Sequence, residues 1–227
     1  MATGIPTNKQ GRKTEVLNLK NSKITCDDLD DYPLGIYAGF GGQFQGQKWP
    51  FICGGWDESY PRNECYEIGT NQFLGYLNQS REYSSVIPLQ NNSAFWILGG
   101  DFGFKSDLKT TEILSDNGIE PHFDLPFTFS QGCVTRFDLE SFILIGGYQN
   151  GQEPFLGSKN TWLVNLESMD TWIMGPTLNY SRYDHGCGTF NGLIAVLGGF
   201  PFPDSLTSVE LLDISSPDNE FMKGISF

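Results

Sequence analysis

The feature that most constrains this chain is a short apolar strand closing on a pair of glycines, which occurs four times. It reads FICGG at 51–55, WILGG at 96–100, LIGG at 144–147 and VLGG at 196–199. The closing glycines, Gly55, Gly100, Gly147 and Gly199, stand 45, 47 and 52 residues apart, near the roughly 50 residues of a large β-repeat. A second ladder tests that period independently: TEVL at 14–17, NECY at 63–66, TEIL at 111–114, NTWL at 160–163 and VELL at 209–212. Its second residues, Glu15, Glu64, Glu112, Thr161 and Glu210, step by 49, 48, 49 and 49. A third echo, L-N-x-S-R, begins at Leu77 and again at Leu178, 101 residues or two periods later. A repeat of this size is one small sheet with two apolar faces, and it becomes stable only when neighbouring sheets cover those faces.

One period shows the parts. Residues 132–137 predict an inner strand, 141–147 the glycine-pair strand, 160–166 a third and 171–175 an outermost one. Composition agrees: 27 Gly, 12 Pro and 14% aromatic residues accompany only 18% charged residues, which suits many strands and tight turns rather than charged helices. Trp162 and Trp172 fall on the last two strands, where flat rings fill the wedge between neighbouring sheets. The glycines of each pair (Gly54 and Gly55, Gly99 and Gly100, Gly146 and Gly147, Gly198 and Gly199) read as strand-end turn residues. Their spacing forms neither G-x-G-x-x-G nor a Walker A loop.

Gly146, Gly147, Trp162, Trp172 in W-x-x-x-P with Pro176, Arg182 and His185 together resemble the kelch repeat, within the superfamily of the galactose oxidase central domain. The resemblance extends over roughly residues 14–215, with other copies carrying Tyr66 and Phe73, or His122, Phe123 and Pro126, at the matching places. It implies an all-β, kelch-type β-propeller of four-stranded antiparallel blades, about four and a half of them and so a partial propeller. The expected organisation is a disordered segment at 1–13, a part-blade of third and fourth strands at 14–33, and blades at about 34–80, 81–128, 129–180 and 181–227. The family implies protein partners, among them actin or ubiquitin-ligase substrates, although the sequence has no helical segment of the BTB kind.

Catalysis is not expected. The copper chemistry of galactose oxidase, the enzymatic reading the resemblance raises, needs two His and two Tyr ligands with a Cys joined to one Tyr. This chain has His122 and His185 alone, and His185 already matches the repeat. No H-x-x-x-H or C-x-x-C pattern supplies a metal, so neither metal nor other cofactor is expected. The acidic run at 26–33, with Asp27, Asp28, Asp30 and Asp31, lacks the Gly and Glu of an EF-hand loop and reads as a solvated strand and turn. No G-x-S-x-G marks a nucleophile.

Binding is therefore expected through the loops at 56–63, 101–109, 148–159 and 200–206. Their aromatic residues are Trp56, Tyr60, Phe102, Phe104, Tyr148, Phe155, Phe200 and Phe202, side chains of the kind that form hot spots. A formal charge of −13 argues against nucleic acid and anionic lipid, and no apolar run approaches the roughly 20 residues needed to span a bilayer. The expected partner is a protein.

Compartment is open. Residues 1–13 show no apolar stretch of about 7 residues like that of an export signal, which makes the cytoplasm the default. The alternative is a secreted carbohydrate-binding or extracellular module, which a disulfide and occupied sequons would favour. Cys53 and Cys65 fall on adjacent antiparallel strands, where a bond and two packed side chains are both open because register is not readable. Cys133 and Cys187, in QGCV and HGCG, take equivalent strand starts and are expected as small packed side chains. Sequons occur at Asn78, Asn91 and Asn179, the first and last inside the L-N-x-S-R echo, where turn chemistry explains them without glycans.

Overall fold

The computed structural model describes residues 14–18, 25–28, 30–103, 107–149, 157–200, 206–216 and 220–226. The expected disordered segment at 1–13 lies outside them. Each repeat folds as a meander of four antiparallel strands, and four such sheets form consecutive propeller blades. Blade 1 holds β3 (Phe40–Gly42), β4 (Phe51–Cys53), β5 (Glu64–Glu67) and β6 (Phe73–Tyr76). Blade 2 holds β7 (Ser85–Leu89), β8 (Ala94–Leu98), β9 (Thr111–Ser115) and β10 (Gly118–His122). Blade 3 holds β12 (Cys133–Arg136), β13 (Ser141–Ile145), β15 (Thr161–Asn165) and β16 (Trp172–Met174). Blade 4 holds β17 (Gly186–Phe190), β18 (Leu193–Leu197), β19 (Ser208–Asp213) and β20 (Phe221–Ser226). Ahead of them β1 (Glu15–Asn18) pairs with β2 (Thr25–Asp28), and β11 (Phe129–Ser130) pairs with β14 (Tyr148–Gln149).

Strand alternation sends successive side chains to opposite neighbours. On β8, Phe95 and Ile97 join Phe40, Phe51 and Leu77 on the blade 1 side, while Trp96 and Leu98 join Phe142, Leu144 and Val164 on the blade 3 side. Ile143 and Ile145 of β13 turn the other way, against Ile194, Val196 and Leu212 of blade 4. The wedge between blades 2 and 3 is filled as the sequence suggests: Trp162 stacks on Phe127 at 4.6 Å and Trp172 lies 5.8 Å from Trp96. The outer face of blade 1 is covered by Tyr32 and Ile36 packing with Ile52 and Ile68. Blade 4 instead leaves Leu193, Leu197, Phe190 and Met222 exposed on one face.

A repeated lock closes blades 2 and 4. The segment entering blade 2 buries Arg81 completely, and its guanidinium donates to the Gly99 and Thr110 carbonyls and to Glu112 on β9. Glu112 also accepts from the backbone and side chain of Asn78 and the backbone of Gln79. Blade 4 repeats this: Arg182 bonds Gly198 O, Ser208 O and Glu210, and Glu210 accepts from Asn179 and Tyr180. Both ion pairs are essentially inaccessible to water.

The frame of equivalence comes from the backbone. The second glycine of the first three pairs donates to the carbonyl of the same position in the next blade: Gly55 to Arg81, Gly100 to Phe129, Gly147 to Arg182. Blade 3 therefore carries Phe129 where its neighbours carry arginine, and the matching changes accompany it. Thr161 replaces the glutamate, so no carboxylate is left without a cation. Pro126 replaces the asparagine, removing the N–H that would have needed that carboxylate. Gly132 leaves room for the ring, since a Cβ there would stand 2.5 Å from Phe129 Cζ. Blade 1 follows the same apolar pattern with Pro33, Ile36 and Gly39, but keeps Glu64, which Arg62 neutralises from two residues away, with Nε to Oε2 at 3.0 Å.

The cysteines divide differently from the sequence reading. Cys53 and Cys65 are directly opposed on β4 and β5, with Cα atoms 4.1 Å apart and the sulfurs bonded. Cys133 and Cys187, expected as separate packed side chains, are also bonded, with Cα atoms 5.9 Å apart. The reason is register. Cys133 pairs with Ile145 and so faces blade 4, whereas Gly186 holds the equivalent place in blade 4, paired with Leu197. Cys187, one residue further, pairs with Val196 and faces back toward blade 3. Truly equivalent positions would point the same way round and could not meet.

Candidate functional site: the axial mouth

Three backbone hydrogen bonds run from blade to blade at the inner end of the sheets. Tyr83 N donates to Ala38 O at 2.9 Å, Gln131 N to Tyr83 O at 3.2 Å, and Asp184 N to Gln131 O at 2.8 Å. All four residues sit in the left-handed region, with φ of 55°, 53°, 53° and 50°. Such conformations are uncommon for side-chain-bearing residues and persist where the surroundings over-determine them. Here the bridge to the next blade fixes them.

Just outside this arc, the residue following each glycine pair bridges the residue preceding each left-handed one. Trp56 pairs with Tyr37, Asp101 with Glu82, Tyr148 with Ser130, and Phe200 with Tyr183. These eight residues therefore lie around the inner ends of the four blades, at one axial mouth. On one side they are aromatic: Tyr183 stacks between Tyr148 at 4.8 Å and Phe200 at 5.8 Å. On the other they are acidic, and Glu82 is 5% exposed with its Oε2 making no hydrogen bond. Burial, then Asp101, then Asp184 push the Glu82 carboxyl up to about 7. Burial pushes Asp184 up to about 6 and raises Asp107, which Ser130 Oγ partly offsets by hydrogen bonding to it. Burial followed by nearby carboxylates raises the Tyr37 and Tyr83 phenols. A carboxylate this buried and unsatisfied is costly, and such groups concentrate at functional sites.

Of the loop aromatics expected from sequence, Trp56, Tyr148 and Phe200 border the mouth. Tyr60 and Phe102 are exposed on the same rim, Tyr60 held by a hydrogen bond from Arg62 to its hydroxyl, and Gly103 lies against the Trp56 ring. Phe104, Phe155 and Phe202 lie outside the described residues. Glu82, Asp101, Asp184, Tyr37 and Tyr183 were not singled out in the sequence. Asp101 was within reach, because it follows a glycine pair as Trp56, Tyr148 and Phe200 do.

The two histidines have other duties. His185 is buried against Gly146, where an added Cβ would come within 2.7 Å of its ring, and burial followed by Arg182 lowers it to about 4, so it is neutral. His122 lies on β10 edge-on to Trp96. Among the described residues no three His, Cys, Asp or Glu side chains are grouped to hold a metal ion. On the opposite face, a pocket of about 300 Å³ opens between blades 1 and 2, walled by Phe44, Trp49, Phe51 and Phe73 with Glu67 and Asp116.

No protein-family model matches the sequence, and no curated protein matches it significantly. The fold is similar to the solved structure of YjhT, with a TM-score of 0.80 and 12% identity. The match covers 98% of this chain and 80% of that one. At this identity the likeness shows the fold alone: a β-propeller.

Proposed function

We propose that this chain is a non-catalytic binding module of the kelch type that holds a protein partner over its axial mouth. The observation that carries this reading is the pairing of a stacked aromatic wall, Tyr148, Tyr183 and Phe200, with the buried acidic side formed by Glu82 and Asp101. Aromatic faces supply contact area at low conformational cost, and the acidic side selects groups that donate hydrogen bonds or carry positive charge. The packing of His185 against Gly146 and the separate place of His122 on β10 fit a role without metal chemistry.

A second reading concerns compartment. Four of the five cysteines are paired, one pair within a blade and one between blades, which favours the extracellular alternative over the cytoplasm. A carbohydrate partner belongs to that alternative, since stacked aromatics beside carboxylates also suit a sugar ring.

The test is affinity enrichment with crosslinking from the native source. It compares the unaltered chain, a mouth variant (Tyr148→Ala with Phe200→Ala), and Met174→Ala on the exposed outer strand β16 as control. A partner kept by the unaltered chain and the control but lost by the mouth variant supports the reading. An identical set of captured molecules for all three overturns it.

A further inference from the structure

We propose that Asn91 is the N-glycan acceptor of this chain and that the sequons at Asn78 and Asn179 stay bare. The proposal rests on the extracellular reading above.

The three sequons are alike in sequence and different in structure. Asn179 Nδ2 donates to Glu210 Oε2 at 2.9 Å and to Phe221 O at 2.7 Å, so both amide hydrogens are engaged, and its backbone N–H bonds the same carboxylate at 2.6 Å. Asn78 holds Glu112 in the same way, by Nδ2 at 2.9 Å and by its backbone N–H at 2.7 Å. These carboxylates are the buried partners of Arg81 and Arg182. A glycan replaces one amide hydrogen and brings a bulky, hydrated group to a nitrogen that faces a buried ion pair. The L-N-x-S-R echo therefore contains sequons as a by-product: Asn is there for the carboxylate, and Arg follows it for the lock.

Asn91 has none of these duties. It lies in the 3-10 turn Gln90–Asn92 that joins β7 to β8, and Asn91, Asn92 and Ser93 are all exposed. Asn91 and Asn92 both have left-handed backbones, φ 57° and 65°, which make the tight turn between the two strands. The tip is held in place rather than loose, because Gln45 N donates to Asn92 O at 3.0 Å. It also sits at the opposite end of β8 from the Gly99 and Gly100 pair, so a glycan on it leaves the axial mouth free.

The modification joins Asn91 Nδ2 to the anomeric carbon of an oligosaccharide carried on a polyprenyl pyrophosphate. The carbon–oxygen bond to pyrophosphate breaks, the lipid pyrophosphate leaves, and the amide gives up one proton.

The test uses the chain from its native source, with enzymatic glycan release in water enriched in the heavy oxygen isotope to convert each occupied Asn to oxygen-labelled Asp, and non-reducing thiol counting on the same sample. The expected result is label at position 91 alone and four cysteines paired. Asn91→Gly, which keeps the left-handed turn, removes the whole glycan mass with an unchanged melting temperature. Label at 78 or 179, or paired cysteines with a bare Asn91, overturns this proposal and leaves the extracellular reading standing. Five free thiols overturn both.

Discussion

Glu210→Thr offers the sharpest test of the inter-blade locks, because blade 3 already contains the alternative. The substitution leaves the Arg182 guanidinium, which is fully buried, without its counter-charge and deprives the backbone N–H groups of Asn179 and Tyr180 of their acceptor. Breaking one side of a buried pair costs about 3–5 kcal/mol. Replacing the whole lock is a different matter. The set Asn179→Pro, Arg182→Phe, His185→Gly and Glu210→Thr copies Pro126, Phe129, Gly132 and Thr161 into the equivalent places of blade 4. His185→Gly is required, since the slot that Gly132 leaves open for the Phe129 ring is filled by imidazole in blade 4. Well-packed apolar replacements of buried ion pairs are often neutral, so the four-residue variant should return to within about 1–2 kcal/mol of the unaltered chain. Urea unfolding at pH 7, with midpoints compared at constant slope, measures both. A cost below about 0.5 kcal/mol for Glu210→Thr, the level of a surface substitution, would refute the reasoning. So would a four-residue variant no more stable than the single one.

Further outcomes follow from other parts of the molecule. The Glu82 carboxyl keeps its proton to about pH 7 in the fold but releases it near 4.5 when unfolded, so the folded state binds more protons between those values. Its contribution is fully present below pH 4.5 and is lost as pH rises to about 7. Glu82→Gln should therefore gain up to about 3 kcal/mol over the unaltered chain above pH 7 and nothing near pH 4, read from melting temperature against pH. His185, lowered to about 4, acts in the opposite sense as pH falls below 6.5, and that limb should survive in Glu82→Gln. Removing the Cys133–Cys187 bond, which spans 54 residues, should cost about 4 kcal/mol against about 3 for Cys53–Cys65, which spans 12, on the chain-entropy account. Equal losses in calorimetry would contradict that ordering. Leu193→Glu with Leu197→Lys, on the exposed face of blade 4, should reduce binding of a hydrophobic dye while changing stability by no more than about 0.5 kcal/mol. Unchanged dye binding would show that this face is not the exposed apolar surface.

What was legible in the sequence was whatever one strand or turn decides alone. The glycine pairs, the third-strand ladder and the four strands of residues 132–175 are local patterns, and each reappears as β12, β13, β15 and β16 or their equivalents. Features that depend on which way a strand faces were not legible. Cys133 and Cys187 look equivalent in QGCV and HGCG, yet a shift of one residue turns them toward each other, because side-chain direction alternates with every residue. The axial mouth was hidden for a related reason: its acids come from connections, and its left-handed residues, Tyr83 and Asp184 among them, are not glycines. The uneven motif copies have a physical meaning as well. Judged one residue at a time, Phe129 and Thr161 are losses of an arginine and a glutamate. Taken with Pro126 and Gly132, they form a second complete solution, in which the charge, its counter-charge, the extra donor and the obstructing side chain have all been removed together. Blade 1 stops partway: Pro33, Ile36 and Gly39 are the apolar set, but Glu64 remains and Arg62 arises beside it. The rule common to the four blades is therefore that no carboxylate at the lock position of the third strand stands without a cation, whatever the residue at any single position, and a motif search by residue type cannot see such a rule.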